Sequence, residues 1–204
     1  MKNFELEFKW DANFPRAFFK MHQAASQLAH LSLPTDVSIF YTYLDHKDER
    51  FSREKIAFRV RNVQAKWEAT FKTKTQLVNG KAVRQEETLP LKADSLQKCL
   101  ALLARRKTWH SLDVTGLHAR FSIRNKRRIY RVKIGQTEGE LSFDNFAIYV
   151  CGRVVKMKEI EFEFKRGSME EFEKFAHQIT EKSGLKFAKI SKVKTAESLF
   201  NLWK

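Results

Sequence analysis

The sequence predicts an α+β domain: an antiparallel β-barrel of about eight strands, forming a tunnel with a charged interior, with helices packed outside. Three observations lead there. Most of the chain alternates apolar and polar residues with period two, the pattern of strands with one buried face. Four stretches repeat apolar residues at helical spacing instead. The polar positions of the strands form ladders of one sign rather than the mixed charges of a solubilising surface.

The first strand is Asn3–Trp10, with Phe4, Leu6, Phe8 and Trp10 on one face and Glu5, Glu7 and Lys9 on the other. Pro15 suits a first helical position, and Phe18, Phe19, Met21, His22, Ala25, Leu28 and Ala29 carry an apolar stripe to about residue 30. Strands follow at Ser38–Asp45, Ile56–Asn62, Ala65–Thr75 and Ala82–Leu89, with a hairpin signal at Asn79-Gly80 between the last two. Leu96, Cys99, Leu100 and Leu103 predict a helix from Asp94 to about Arg106, with Asp94 as its cap. Leu117–Ile123, Arg127–Gly135, Glu138–Phe146 and Lys158–Lys165 complete the strands. Ser168 and Glu171 form a capping box for a helix that carries Phe172, Phe175, Ala176 and Ile179 and stops near Gly184. A short helix, Thr195 to Trp203, follows.

Composition narrows the function. The 204 residues, 43% of them apolar, suffice for one packed domain spanning residues 1–204. With 39 Lys plus Arg against 24 Asp plus Glu, the net charge of +15 calls for an anionic partner. Charges interrupt every apolar run, so no membrane partner is expected. The N-terminal residues lack the apolar core of a signal peptide, and two cysteines in no CxxC arrangement fit a reducing cytoplasm without structural zinc. Cys99 lies on an apolar helix face and Cys151 in a turn beside Gly152. The six histidines make no HExxH or HxxxH pair, and Trp67, Trp109 and Trp203 suit packing between barrel and helices.

The ladders carry the chemistry. Glu5 and Glu7 recur near the far end as Glu159, Glu161 and Glu163 on one face, while Ile160, Phe162 and Phe164 occupy the other. Between them lie Arg59 and Arg61, Lys72 and Lys74, Arg84 with Glu86, and the run Arg124 to Arg131. Like charges on adjacent positions repel, so such concentration points to ligands of opposite sign. Carboxylates are hard oxygen ligands for Mg²⁺ or Mn²⁺, and guanidinium and ammonium groups suit phosphoryl oxygens. A barrel with its charged face inward would set both ladders around one cavity, fit for a metal complex of a phosphate chain.

Glu5-x-Glu7-x-Lys9 resembles the ExExK signature of the CYTH superfamily, the triphosphate tunnel metalloenzymes, which includes thiamine triphosphatases, inorganic triphosphatases and class IV adenylate cyclases. The order of companions extends the resemblance over nearly the whole chain: Tyr43-Leu44-Asp45, Phe58-Arg59-Val60-Arg61, Thr70-Phe71-Lys72-Thr73-Lys74, Arg84-Gln85-Glu86, Arg127-Arg128-Ile129-Tyr130, Leu141-Ser142-Phe143-Asp144, Glu159-Ile160-Glu161-Phe162-Glu163 and Ser191-Lys192. The resemblance implies that Glu5 and Glu7 hold divalent metal with Glu161, Glu163 and Asp144. It implies that Lys9, Arg59, Arg61, Lys72, Lys74, Arg84, Lys192 and an arginine of the basic run grip triphosphate. That run offers Arg124, Lys126 and Arg128 in one parity and Arg127 with Arg131 in the other; alternation leaves open which parity faces inward, and Lys126 and Arg128 are the candidates carried forward for triphosphate binding.

The expected reaction is metal-assisted attack of water on a terminal phosphorus, with Glu7, Lys9, Glu161 and Lys192 as the catalytic set and Glu7, Glu161 or Glu163 as base or ligand. The substrate is a small-molecule triphosphate. One rival is an adenylate cyclase on the same fold, releasing pyrophosphate from ATP. The other is a non-enzymatic binder of polyphosphate or nucleic acid, suggested by the +15 charge and the Arg124–Arg131 run. No RRM, helix-turn-helix or zinc-finger pattern appears, so a nucleic-acid partner is not expected.

Overall fold

The computed structural model describes residues 3–73, 76–78, 81–109 and 111–204, with side chains except at residues 3, 4, 76–78 and 84. In chain order the elements are β1 Asn3–Asp11, α1 Ala17–Leu28, β2 His30–Leu31, β3 Thr35–Asp45, α2 Arg50–Arg53, β4 Ala57–Val63, β5 Lys66–Lys72, β6 Gln76–Val78 and β7 Lys81–Leu91. There follow α3 Leu96–Arg106, β8 Thr108–Trp109, β9 Leu112–Asp113, β10 His118–Ile134, β11 Thr137–Val150, β12 Arg153–Arg166, α4 Met169–Ser183 and α5 Lys192–Trp203.

The sheet runs β1-β12-β11-β10-β3-β4-β5-β7, and β7 pairs back onto β1, so the antiparallel ladder goes all the way round. The first and last long strands are neighbours in this ring, with Lys9 opposite Glu161 and Glu7 opposite Glu163. Directly opposed residues share a face. Strands with one apolar and one charged face can therefore close only with all like faces together, and here the charged faces turn inward.

Two cores cover the outer face. Phe8, Trp10, Leu141, Phe143, Ile160 and Phe162 pack against Met21 of α1 and Phe172, Phe175 and Ile179 of α4. The Phe162 and Phe172 rings stack 4.5 Å apart, and Trp10 Nε1 donates to Thr180 Oγ1 at 2.9 Å, which pins α4 to β1. On the other flank Leu44, Phe58, Val60 and Phe71 pack against Cys99 and Leu103 of α3 and against Trp109. α5 sits differently. Its Val193, Ala196, Leu199, Phe200 and Trp203 lie against inward-facing Tyr41, Tyr43, Phe121, Ile123, Phe146 and Ile148, filling that part of the interior with apolar side chains. Arg120, over the Phe200 ring at 4.4 Å, also bonds Asp45, whose carboxylate accepts from the backbone N–H groups of His46, Phe51 and Ser52.

Several boundaries differ from the sequence expectation. β10 runs unbroken through Arg124-Asn125-Lys126, because period-two alternation continues there with Ile123, Asn125 and Arg127 all facing inward and no glycine or proline to interrupt it. α1 starts at Ala17, after Arg16 in a left-handed conformation. Ser95, not Asp94, caps α3 by accepting from Lys98 N, while Asp94 pairs with the Lys98 side chain at 3.2 Å. Ser168 accepts from Glu171 N, but the Glu171 carboxylate takes the Thr137 hydroxyl at 2.5 Å and so does not close a capping box. α5 begins at Lys192 rather than Thr195 because Ser191 caps it. Asn79-Gly80 lies outside the described residues.

Candidate active site

The charged part of the interior is a cavity of about 840 Å³, lined among others by Lys9, Arg59, Arg61, Lys72, Arg127, Glu161 and Lys192. They come from six elements, five strands gathered by pairing and α5, which carries Lys192; within the ladder Arg127 stands opposite Asp144, Asp144 opposite Glu159, and Ser142 opposite Glu161.

At its buried end Lys192 Nζ lies 2.5 Å from Asp144 Oδ2, 3.1 Å from Glu161 Oε1 and 3.2 Å from Glu159 Oε1. Arg127 grips Asp144 with two parallel bonds, Nε to Oδ1 and Nη2 to Oδ2, both 2.6 Å, and also reaches Glu161. Lys9 Nζ meets Glu161 at 2.5 Å and Glu7 at 3.1 Å. Further round the barrel, Lys72 lies 2.9 Å from Glu5 and 2.6 Å from Glu86. Arg59 is 3.6 Å from Glu86, stands over the Tyr41 ring at 4.8 Å, and keeps a buried Nε–H without an acceptor among the described residues. Arg61 pairs with Glu68. Glu163 pairs with Lys165 at 2.8 Å.

Environment splits these carboxylates. Burial opposes charge on Asp144 and Glu161, but Lys192 first, then Arg127 for Asp144 and Lys9 with Arg127 for Glu161, outweigh it and hold both below the usual range. Burial wins at Glu159, pushing it up to about 7 against the pull of Lys192 and Lys9. Glu163 is raised by burial first, and by the charges of Glu5 and Glu7 as well.

The CYTH domain model matches residues 3–196. The chain belongs to the CYTH family. An inorganic triphosphatase of Haemophilus influenzae is 28% identical to this CYTH chain over 153 residues, covering 75% of the chain and 43% of the relative, so the chain spans less than half the length of that curated relative. Among solved structures, a Hippeastrum adenylyl-cyclase candidate with dominant triphosphatase activity superposes with a TM-score of 0.69 at 19% identity, covering 95% of each chain. The PH1819 protein of Pyrococcus horikoshii gives 0.65 at 18% identity, covering 96% of this chain and 99% of its own. At these identities the two structures bear on the fold alone.

The CYTH barrel brings together most of the residues expected from sequence. Glu5, Lys9, Arg59, Arg61, Lys72, Glu161, Glu163 and Lys192 line the cavity, while Glu7 and Asp144 are buried directly behind it. Lys126 and Arg128 are not there. Their parity faces outward, where Lys126 is exposed and Arg128 bonds Asp36 at 2.8 Å; Arg127 takes the inward place. Arg84 lies opposite Glu5 in the ladder, its side chain outside the described residues, and Lys74 lies outside them altogether. Glu159 was not among the expected ligands, although its position two residues before Glu161 on the same face is the signal for it.

The carboxylates fit a divalent metal. Among the described residues Asp144, Glu159 and Glu161 each offer an oxygen within 4.8 Å of the others, a hard donor set. The Lys192 ammonium already rests against all three, so the position accepts positive charge. No described helix is long and apolar enough to cross a membrane.

Proposed function

We propose that this CYTH protein hydrolyses a triphosphate chain, either inorganic triphosphate or an organic triphosphate such as thiamine triphosphate, with Mg²⁺ or Mn²⁺ as cofactor. The observation that carries this reading is the convergence of Lys9, Arg127 and Lys192 on Glu161 at the wall of one cavity and on Asp144 just behind it.

Each of these buried cations is matched to a carboxylate, and removing one partner of a buried pair leaves a costly uncompensated charge. Lys9, Arg127 and Lys192 can turn to phosphoryl oxygens at low cost only if a cation reaches the carboxylates together with the anion. Triphosphate and divalent metal are therefore expected to bind cooperatively. Arg59, Arg61 and Lys72, with Arg84 and Lys74 from the same ladders, would hold the rest of the chain; the acceptor-free Nε–H of Arg59 is one donor waiting for such an oxygen.

Glu5, Glu7, Asp144 and Glu161, joined by Glu159, would hold the metal, with Glu163 at the edge of the set as ligand or base. When bound, it neutralises charge spreading over the phosphoryl oxygens. Glu161, kept ionised by Lys192, Lys9 and Arg127, suits a ligand role. Glu163, lining the cavity and raised by burial, is the better base: it takes a proton from the attacking water as oxygen bonds to the terminal phosphorus and the bridging P–O bond breaks. The free thiols of Cys99 and Cys151 accord with a reducing cytoplasm as the compartment.

Incubation with tripolyphosphate, thiamine triphosphate or ATP, in Mg²⁺, Mn²⁺ or EDTA, tests this reading. Phosphate release that needs metal is the expected result. Cyclic AMP and pyrophosphate from ATP would establish the cyclase instead, and full turnover in EDTA would remove the metal.

A further inference from the structure

The tunnel does not use up the protein's charge. Its deep cations are each set against carboxylates, so the +15 excess is carried largely on the outside. Part of it forms a pattern. Beyond the first turn of α1, where Phe18 packs on Phe143, the outer faces of β10, β11 and β12 are mostly exposed, and the ladder aligns Lys126 with Asn145 and Lys158 in one row and Arg124 with Ala147 and Lys156 in the next. All four cations are exposed, and none is within ion-pair distance of a carboxylate among the described residues. Strand geometry spaces them about 7 Å along a strand and about 10 Å across two strands. Asp36, the acid beside this patch, is already bonded to Arg128.

Aromatic groups stand at both ends of the grid. Beyond the Lys126 row lies a cavity of about 650 Å³ lined by Phe18, Phe19, His22, Tyr130 and Phe143, with Lys126 on its edge. Phe19 is 63% exposed at its lip. Beyond the Arg124 row, Tyr149 is 38% exposed on the same face, in register with Ser122 and Val154.

We propose that this outer face binds single-stranded nucleic acid, with phosphates on Arg124, Lys126, Lys156 and Lys158 and bases against Phe19 and Tyr149. Cations flanked at both ends by exposed rings on one outer sheet face match a flexible strand whose bases are free to stack. A duplex hides its bases in its own stack, and an anionic membrane needs the cations but not a ring-lined pocket. The Arg124–Arg131 run therefore serves two faces: Arg127 the tunnel, Arg124 and Lys126 the exterior.

The test is fluorescence anisotropy of a short labelled oligouridine with the full chain, with saturating tripolyphosphate present to occupy the tunnel. Binding should persist, weaken with added salt, and fall about tenfold or more in the Arg124→Glu, Lys156→Glu double variant. Phe19→Ala and Tyr149→Ala should each weaken it about fivefold or more. All these variants should release phosphate from tripolyphosphate at the wild-type rate, which also reports an intact fold. Loss of binding with tripolyphosphate, wild-type affinity in the charge-reversed variant, or equal affinity for duplex RNA or phosphatidylserine vesicles with no effect of the aromatic variants would overturn the proposal.

Discussion

Lys192 Nζ rests 2.5 Å from Asp144 Oδ2, although 48 positions separate them in the chain. Both side chains are almost wholly shielded from water, and Glu159 and Glu161 crowd the same ammonium. Lys192 is the first residue of α5, so this contact fixes where the helix that fills the apolar part of the interior begins. Removing it strands buried negative charge. Lys192→Ala is expected to lower stability by about 3 kcal/mol or more, read as the midpoint of urea unfolding.

The parity of the basic run yields a paired prediction. Arg127 binds Asp144 through two bonds of 2.6 Å inside the barrel, whereas Lys126 is outside. Arg127→Ala should therefore cut kcat/KM for tripolyphosphate at least tenfold, the loss expected for a charge-assisted contact, while Lys126→Ala leaves it within about twofold. Steady-state phosphate release decides between them, and the reverse ranking would restore the parity expected from sequence.

Glu159 gives a pH dependence of definite sign. Its folded value, about 7, lies above its ordinary 4.5 because burial disfavours the charged form. Its contribution to stability is complete below pH 4.5 and is lost as pH rises through 7. In EDTA, the stability of the wild type relative to Glu159→Gln, which cannot ionise, should fall across that window. Thermal melts of the two proteins from acid to neutral pH check this; a constant difference would mean Glu159 ionises normally.

Gly139 of β11 lies against the Phe162 ring of β12. A Cβ there would run into the Phe162 ring and lie 3.2 Å from the Glu163 carbonyl oxygen, and Phe162 is fully buried against Phe172. Gly139→Ala is expected to cost about 1–3 kcal/mol by overpacking, seen as a lowered melting temperature.

Period-two alternation made the ladders legible, because sheet faces follow directly from it. Glu5, Glu7, Lys9, Arg59, Arg61, Lys72, Glu161 and Glu163 all reach the interior as their spacing requires. The run Arg124 to Arg131 defeated the same logic. Both parities there are basic, so alternation carries no sign contrast, and only the pairing of Arg127 with Asp144 across β10 and β11 fixes the face. Glu159 stood in the acidic ladder, but its raised value was hidden for another reason: it depends on burial beside Lys192, a tertiary fact. The seat of α5 on Tyr41, Ile123 and Phe146 was equally out of reach, since an apolar helix face does not say which side of a barrel it will cover.

Titration calorimetry of tripolyphosphate in the presence of Mn²⁺, with wild type and Arg59→Ala side by side, tests the central claim most directly. The account predicts one site per chain in the wild type and binding at least tenfold weaker in the variant, because the Arg59 guanidinium faces the cavity with a donor to spare. Equal affinity in the two proteins would mean that phosphate is held somewhere other than the tunnel, and would contradict it.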